Sequence, residues 1–313
     1  MHVLSAAGFG HAHDFDGGLR EVPQGHTWSL VDVLMVLLQN LRYTLLFSKS
    51  MLLGMMMPTQ YREINATMEE FRQYMKEIIA ENLRVWRAAT KPMYLSDGEL
   101  LGNLYVFNLA GFETTANSLT FTISFLAANS DVQEWVGEEI DAVVKGKDNL
   151  DYEEGFPLLV RCLALMYETL RIWGPVSDNS RCTYVTTNLY GIHSDPRWWG
   201  ADSLEWRQTR WVRVDEKTGK ESIAPQPPGA AFMAWSAGPR VCPGRKFSQV
   251  EFVAVISSLL RRYRLKPLVM QSKSMKTEEQ GRRALLEVID DSMSGVTPTM
   301  RRPEDAGVVF VER

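Results

Sequence analysis

The sequence predicts a mainly α-helical protein with a minor β part, and three observations lead there. Long stretches carry apolar residues three and four positions apart, the spacing of one helix face. Prolines sit at the edges of those stretches, at Pro58, Pro92, Pro157 and Pro175, and not inside them. Strand-like runs are short and lie mostly beyond Pro267. With 313 residues, 45% hydrophobic and 23% charged, the chain can bury a large core as one big domain or two ordinary ones.

The first helix is expected within 31–47, where Asp32, Gln39, Asn40 and Arg42 make it a helix of the fold and not a span of hydrocarbon. No secretory signal or membrane-spanning run is visible. The methionine-rich run from Met51 to Met57 is flexible and apolar, suited to a membrane surface, a substrate entrance or plain core filling. After Pro58, acidic and basic residues interleave at helical spacing to about Ala89, which predicts a long, solvent-facing amphipathic helix closed by Lys91 and Pro92. Ser96 and Glu99 have capping-box spacing, and behind them 100–128 runs without proline and almost without charge. That helix is expected to be buried on most sides. A shorter helix follows over 131–147, and another opens at Pro157 and ends at Gly174-Pro175. The tryptophan-rich region 183–215 reads as irregular, helical periodicity returns from Arg245, and 285–289 and 308–311 read as strands.

Cys162, Cys182 and Cys242 are too few and too irregular for a disulfide scaffold or a zinc site, which fits a reducing compartment. A formal net charge of −4 argues against nucleic acid as a main partner. Basic residues nevertheless gather at Arg240, Arg245, Lys246, Arg261, Arg262, Arg264 and Lys266, either as a docking face for an acidic electron-transfer protein or as an ordinary solvated helix end. His11 and His13 lack a third ligand at metal spacing, and His193 receives no chemistry. There is no Gly-x-Ser-x-Gly elbow, P-loop or dinucleotide fingerprint.

The most informative stretch is Trp-Ser-Ala-Gly-Pro-Arg-Val-Cys-Pro-Gly, residues 235–244. Gly238 and Gly244 let the backbone turn sharply and approach a flat ligand, while Pro239 and Pro243 stiffen the loop. Cys242 is thereby presented at the N-terminus of a helix, whose positive end favours thiolate. The plain alternative is a buried loop cysteine. A second motif, Ala110-Gly111-Phe112-Glu113-Thr114-Thr115, sets an acid and two hydroxyls in a buried-looking helix almost without charge, where Gly111 and Thr114 favour a local opening that holds water. The alternative there is a capped kink. A third, Glu168-Thr-Leu-Arg171, has the spacing of an ordinary i,i+3 ion pair.

Taken together, these motifs resemble those of the cytochrome P450 family. The first is similar to its heme-binding signature, Phe-x-x-Gly-x-Arg-x-Cys-x-Gly, with Trp235 in place of phenylalanine; the second is similar to its oxygen-activation motif, and the third to its Glu-x-x-Arg pair. The resemblance implies the C-terminal portion of that fold, with heme b between the 100–128 helix and the Cys242 loop. It makes Cys242 the proximal iron ligand and pairs Arg240 with a propionate. It also sets Trp235, Gly238 and Gly244 on the sulfur side and Ala110 and Gly111 on the other. Thr114 would hydrogen-bond bound dioxygen and Glu113 would help relay protons to it. Arg210, in the run from Trp206 to Trp211, would join Glu168 and Arg171 in a structural network holding the Cys loop.

The implied activity is a heme-thiolate monooxygenase that inserts one oxygen atom of O2 into an apolar small-molecule substrate. Its electrons would come from a separate NADPH-dependent flavoprotein reductase. The segment 195–200 and the Cys loop look like fungal microsomal members, which act at the cytosolic face of the endoplasmic reticulum membrane. Members are longer than this chain. The expected organisation is therefore a single incomplete domain over 1–313, with middle helices in 1–95, the oxygen-side and Glu-x-x-Arg helices in 96–175, and the meander, Cys loop, last helix and strands in 176–313. Lacking the anchor, it would be cytoplasmic or touch a membrane only peripherally. A second gap is expected near 176–192, where the family carries a hairpin and Arg181 is a further candidate for the heme. The competing reading is a truncated heme-binding protein or remnant without productive turnover, because an incomplete cavity admits water.

Overall fold

The computed structural model describes residues 21–40, 59–86, 95–146, 151–174, 179–180, 185–230, 232–268, 277–294 and 297–313. The run from Met51 to Met57, His11, His13, Arg181 and Cys182 lie outside the described residues. The chain divides into two compact units, Met1–Glu113 and Thr114–Arg313.

In the first unit, α1 (Leu30–Gln39) starts at Ser29, whose hydroxyl accepts the Asp32 N–H at 3.1 Å. It buries Leu30, Val33, Leu34 and Leu37 against α2 (Thr59–Trp86), which returns Phe71, Tyr74, Met75 and Ile79. Helix α2 is therefore not solvent-facing all round. Its apolar stripe recurs every three or four residues, hidden among glutamates and arginines, and each buried side chain contributes about 1.5–3 kcal/mol. His26 fastens the entry to α1, with ring nitrogens 3.1 Å from Glu70 and 2.9 Å from Glu77 and its ring stacked 3.7 Å over Tyr74. Burial and those two carboxylates push the Tyr74 hydroxyl up to about 12.

Helix α3 (Asp97–Ala128) opens on a true capping box: the Ser96 N–H donates to Glu99 at 2.8 Å and the Glu99 N–H returns to the Ser96 hydroxyl at 3.3 Å. It runs from the first unit into the second. Burial on most sides holds only for 121–128; earlier, Gly102, Asn103, Val106, Phe107 and Ala110 are exposed. Low charge reported an apolar surface there, not a covered one.

The second unit continues with α4 (Ser130–Val144) and the single-turn α5 (Tyr152–Gly155). Pro157 lies in a 3-10 turn, Phe156–Leu158, so α6 (Val160–Ile172) begins after it and not at it. Strands β1 (Asn179–Ser180) and β2 (Val185–Thr186) pair antiparallel. The segment expected to be irregular contains α7 (Leu189–Ser194) and α8 (Pro196–Trp199), the latter capped by Asp195, followed by the pair β3 (Val212–Val214) and β4 (Glu221–Ile223). Short caps, not long periodicity, make these helices, so a periodicity search passes over them. After α9 (Arg245–Arg262) and β5 (Tyr263–Pro267), residues 285–289 prove helical, inside α10 (Glu278–Asp290). Thr277 and Gln280 form its capping box, and Gly281, Leu285, Val288 and Ile289 are buried at helical spacing. Strands β6 (Ser292–Ser294) and β7 (Pro298–Met300) pair with each other, and β8 (Val308–Glu312) pairs antiparallel with β5 as expected for 308–311.

The core of this unit gathers Phe121, Phe125 and Leu126 of α3, Val136 and Ile140 of α4, and Cys162 and Leu165 of α6 with Phe252, Ile256 and Leu285. No helix among the described residues is long and apolar enough to cross a membrane.

Candidate functional site

The Cys242 loop is closed by its own backbone. The Cys242 N–H donates to the Trp235 carbonyl at 2.9 Å, tying together the ends of an eight-residue arc. Inside the arc, Ser236 and Gly238 sit at φ of +62° and +72°, and a 3-10 turn covers Gly238–Arg240 with Pro239 in its first turn. A side chain other than glycine is strained at the second position. The arc leads through Gly244, the N-cap of α9, and the Trp235 indole N–H donates back to Ser248 at 3.1 Å. Arg245 lies 5.4 Å from the centroid of the Trp235 ring.

This closure leaves Cys242 half-buried, and among the described residues no group donates a hydrogen bond to its sulfur. A Cβ on Gly244 would stand 3.8 Å from that sulfur, in ordinary van der Waals contact with it. Arg240 is exposed, with no ion pair among the described residues. A soft sulfur donor at the open start of a helix, with a free guanidinium two residues away, fits a thiolate-ligated, anion-bearing cofactor such as heme.

The second motif lies in α3, which stays helical throughout 110–115, so the local opening expected at Gly111 does not occur. Ala110 is exposed, Gly111, Glu113 and Thr114 are half-buried and Thr115 is buried. The hydroxyls of Ser118, Thr120 and Thr122 each bond back to the carbonyl four residues earlier, at 2.8–2.9 Å. Hydroxyls are thereby satisfied without breaking the helix.

The third motif is fully inside. Glu168 accepts from Arg171 Nε and Nη2 at 2.8 Å, from Arg210 Nε and the Arg207 backbone at 2.9 Å, and from the Trp211 indole at 2.8 Å. Arg171 spends its remaining donors on the carbonyls of His193, Ser203 and Glu205. Arg210 donates to those of Trp199 and Asp202. Glu168, Arg171 and Arg210 are thus brought together, and Trp211, within the quoted 206–211 run, joins them. Aromatic packing carries this cluster toward the Cys loop: Phe232 lies against Tyr167, Trp211 and Trp235, and Gln249 of α9 donates to the Tyr167 hydroxyl at 3.1 Å.

His193 is the residue that sequence reasoning missed. It is buried, its carbonyl accepts from Arg171 at 2.6 Å, and its Nε2 accepts the Met233 N–H at 3.0 Å. A lone histidine in an irregular stretch offered no signal. Separately, an open groove of about 250 Å3 between Gln133, Arg264, Lys266 and Glu278 contains none of the motif residues.

The sequence profile of the cytochrome P450 family matches residues 24–288. A phomenoic acid biosynthesis cluster cytochrome P450 monooxygenase of Leptosphaeria maculans is 30% identical over 62% of this chain and 39% of its own length. Cytochrome P450 monooxygenase 124 of Postia placenta is 28% identical over the whole chain and 64% of its own length. A crystal structure of a cytochrome P450, CYP102L1, superposes with a TM-score of 0.64 over 85% of this chain and 64% of that one, at 21% identity, a likeness of fold. The chain thus spans about two-fifths to two-thirds of the length of these relatives. With a profile match across most of its residues, it belongs to the cytochrome P450 family, a family of heme proteins.

Proposed function

We propose that this chain carries the heme-thiolate site of a monooxygenase, with Cys242 as the proximal ligand. The observation that carries the reading is the Cys242 loop itself: closed by the Trp235 carbonyl, open at the sulfur, and seated at the start of α9. Arg240 would hold a propionate, Trp235 would cover the sulfur side, and Gly238 and Gly244 would let the backbone come close to a flat ring. By their match to the family's oxygen-activation motif, Ala110 and Gly111 would belong to the oxygen side of the cofactor. Bound heme b supplies dioxygen activation for the insertion of one oxygen atom into an apolar organic substrate. Thr114 holds a proton at its hydroxyl and Glu113 exchanges protons with solvent. Glu168, Arg171 and Arg210 would hold the Cys loop in shape from within the fold. Electrons arrive from an NADPH-dependent flavoprotein reductase at the basic side of Arg240, Arg245 and Lys246. We read 1–313 as part of one such domain, working at or near the cytosolic face of the endoplasmic reticulum.

The test is the absorption spectrum of the ferrous carbon monoxide complex. The wild-type chain, expressed with added heme, should show the strongly red-shifted Soret band of thiolate ligation. Cys242→Ser should abolish that band while changing stability by less than about 1 kcal/mol, since the residue is half-exposed. A wild-type band at the position of neutral ligation, or no retained heme, would overturn the reading.

A further inference from the structure

His193 faces two ways, with one contact through its backbone and one through its ring. Its carbonyl accepts from Arg171 Nη1 at 2.6 Å, inside the Glu168 cluster. Its Nε2 lies 3.0 Å from the Met233 backbone nitrogen. A backbone N–H can only donate, so Nε2 must carry a lone pair and the ring proton must sit on Nδ1. Burial pushes His193 down to about 4, which keeps the ring neutral across the physiological range. The ring also packs against Phe232, with centroids 5.3 Å apart.

Met233 begins the approach to the Cys loop. Its carbonyl accepts the Ser236 N–H at 2.9 Å, at the residue whose φ is +62°, and two residues on from Met233 the Trp235 carbonyl accepts the Cys242 N–H at 2.9 Å. A continuous path of short hydrogen bonds and backbone therefore runs from Arg171 through His193 to the strained arc.

We propose that His193 is a positioning residue: its neutral imidazole locks Met233 to the buried arginine–glutamate cluster and so fixes the arc that presents the Cys242 sulfur. The ligand role of Cys242 rests on the function proposed above, whereas the mechanical link from His193 to the arc does not. A neutral acceptor is needed at this spot. A cationic residue would repel Arg171 and offer no lone pair to Met233, and an apolar ring would leave the Met233 N–H without its partner.

The experiment compares the full chain with His193→Phe, which keeps a ring but no acceptor, and His193→Gln, whose amide oxygen reaches about as far as Nε2. Two readouts are taken. Hydrogen exchange of peptides spanning 232–248 is referenced to the 252–260 core of α9, so that a global loss of stability cancels. The ferrous carbon monoxide spectrum gives the fraction of bound heme in the thiolate form. His193→Phe should speed exchange of the arc relative to the reference by about fivefold, the scale of one lost hydrogen bond. It should also move bound heme toward the neutral-ligand band, with His193→Gln restoring both. If His193→Phe fails to fold, His193→Asn, one bond too short to reach Met233, takes its place with the same expectation. Unchanged exchange in the arc, or equal losses in the Phe and Gln variants, would overturn the proposal. Should the wild-type chain show no thiolate band, the ligand role of Cys242 fails by itself and the exchange contrast still decides the link.

Discussion

Two buried carboxylates serve opposite ends of α6 and meet different fates. Glu139, from α4, caps the N-terminus, accepting the backbone N–H groups of Arg161 at 2.7 Å and Cys162 at 3.1 Å. Glu168, near the C-terminus, takes five donors, three of them from two guanidinium groups. Burial pushes Glu139 up to about 7, because two amides do not replace its lost water and the guanidinium of Arg161 is spent on Glu221, Glu138 and the Trp135 carbonyl. The difference teaches that burial alone does not set the cost of a carboxylate. The number and charge of the donors aimed at it do.

The comparison breaks hardest at Glu168. Glu168→Gln keeps the shape and removes the charge, leaving Arg171, with a wholly buried side chain, and Arg210 facing an amide. Loss of one member of a buried ion cluster costs about 3–5 kcal/mol. We expect the urea midpoint to fall accordingly, and the Cys242 arc to lose its order with it, since both arginines also hold the 199–205 backbone. A loss below about 1 kcal/mol would mean that the cluster is a by-product of the fold and not its fastening.

Glu139 sharpens the comparison through pH. In the folded chain it keeps its proton up to about 7, while the unfolded chain gives it up near the ordinary glutamate value. Between those values the folded state binds more protons, so on this account stability falls as pH rises toward 7 and is level above it. The full effect is about 3 kcal/mol. His193 works in the other direction: held down near 4, it makes stability rise with pH between about 4 and its ordinary value. The two overlap, so the measurement is the difference between wild type and Glu139→Gln at pH 5 and pH 8. That difference should shrink to little at pH 5 and favour the glutamine chain at pH 8. An equal difference at both values would show that Glu139 is ionised throughout.

The contrast was only partly legible in the sequence. Glu168-x-x-Arg171 was visible as a spacing, and Arg210 through its tryptophan-flanked run, because local periodicity and a short motif both survive in one dimension. Glu139 gave no sign. It reads as one acid among several in an amphipathic helix, and only the packing of α4 on α6 turns it inward. His193 was silent for the same reason. The loop closure at Cys242 was half legible: two glycines and two prolines announced a tight turn, but not that Ser236 shares the left-handed backbone or that the Trp235 carbonyl closes the arc. Helix α10 was mistaken for a strand because a short apolar run has no period of its own, and the cap that decides it lay eight residues upstream at Thr277.

At the small end stands Glu279, a carboxylate of the third kind. It lies on the surface of α10, 3.0 Å from Arg283 Nε one turn on, with both side chains more than half exposed. Water solvates each ion about as well as its partner does, and holding two long side chains in one geometry costs rotamer entropy. Arg283→Ala should therefore change stability by no more than about 0.5 kcal/mol, and that little should vanish in high salt. The same double readout, midpoint against salt, separates the three carboxylates. The Glu168 effect should persist in salt because its partners are enclosed, and the Glu139 effect should follow pH instead. An Arg283→Ala loss above about 1 kcal/mol that ignored salt would show that the arginine stem packs on α10 through its methylenes, and that counting charges had misjudged it.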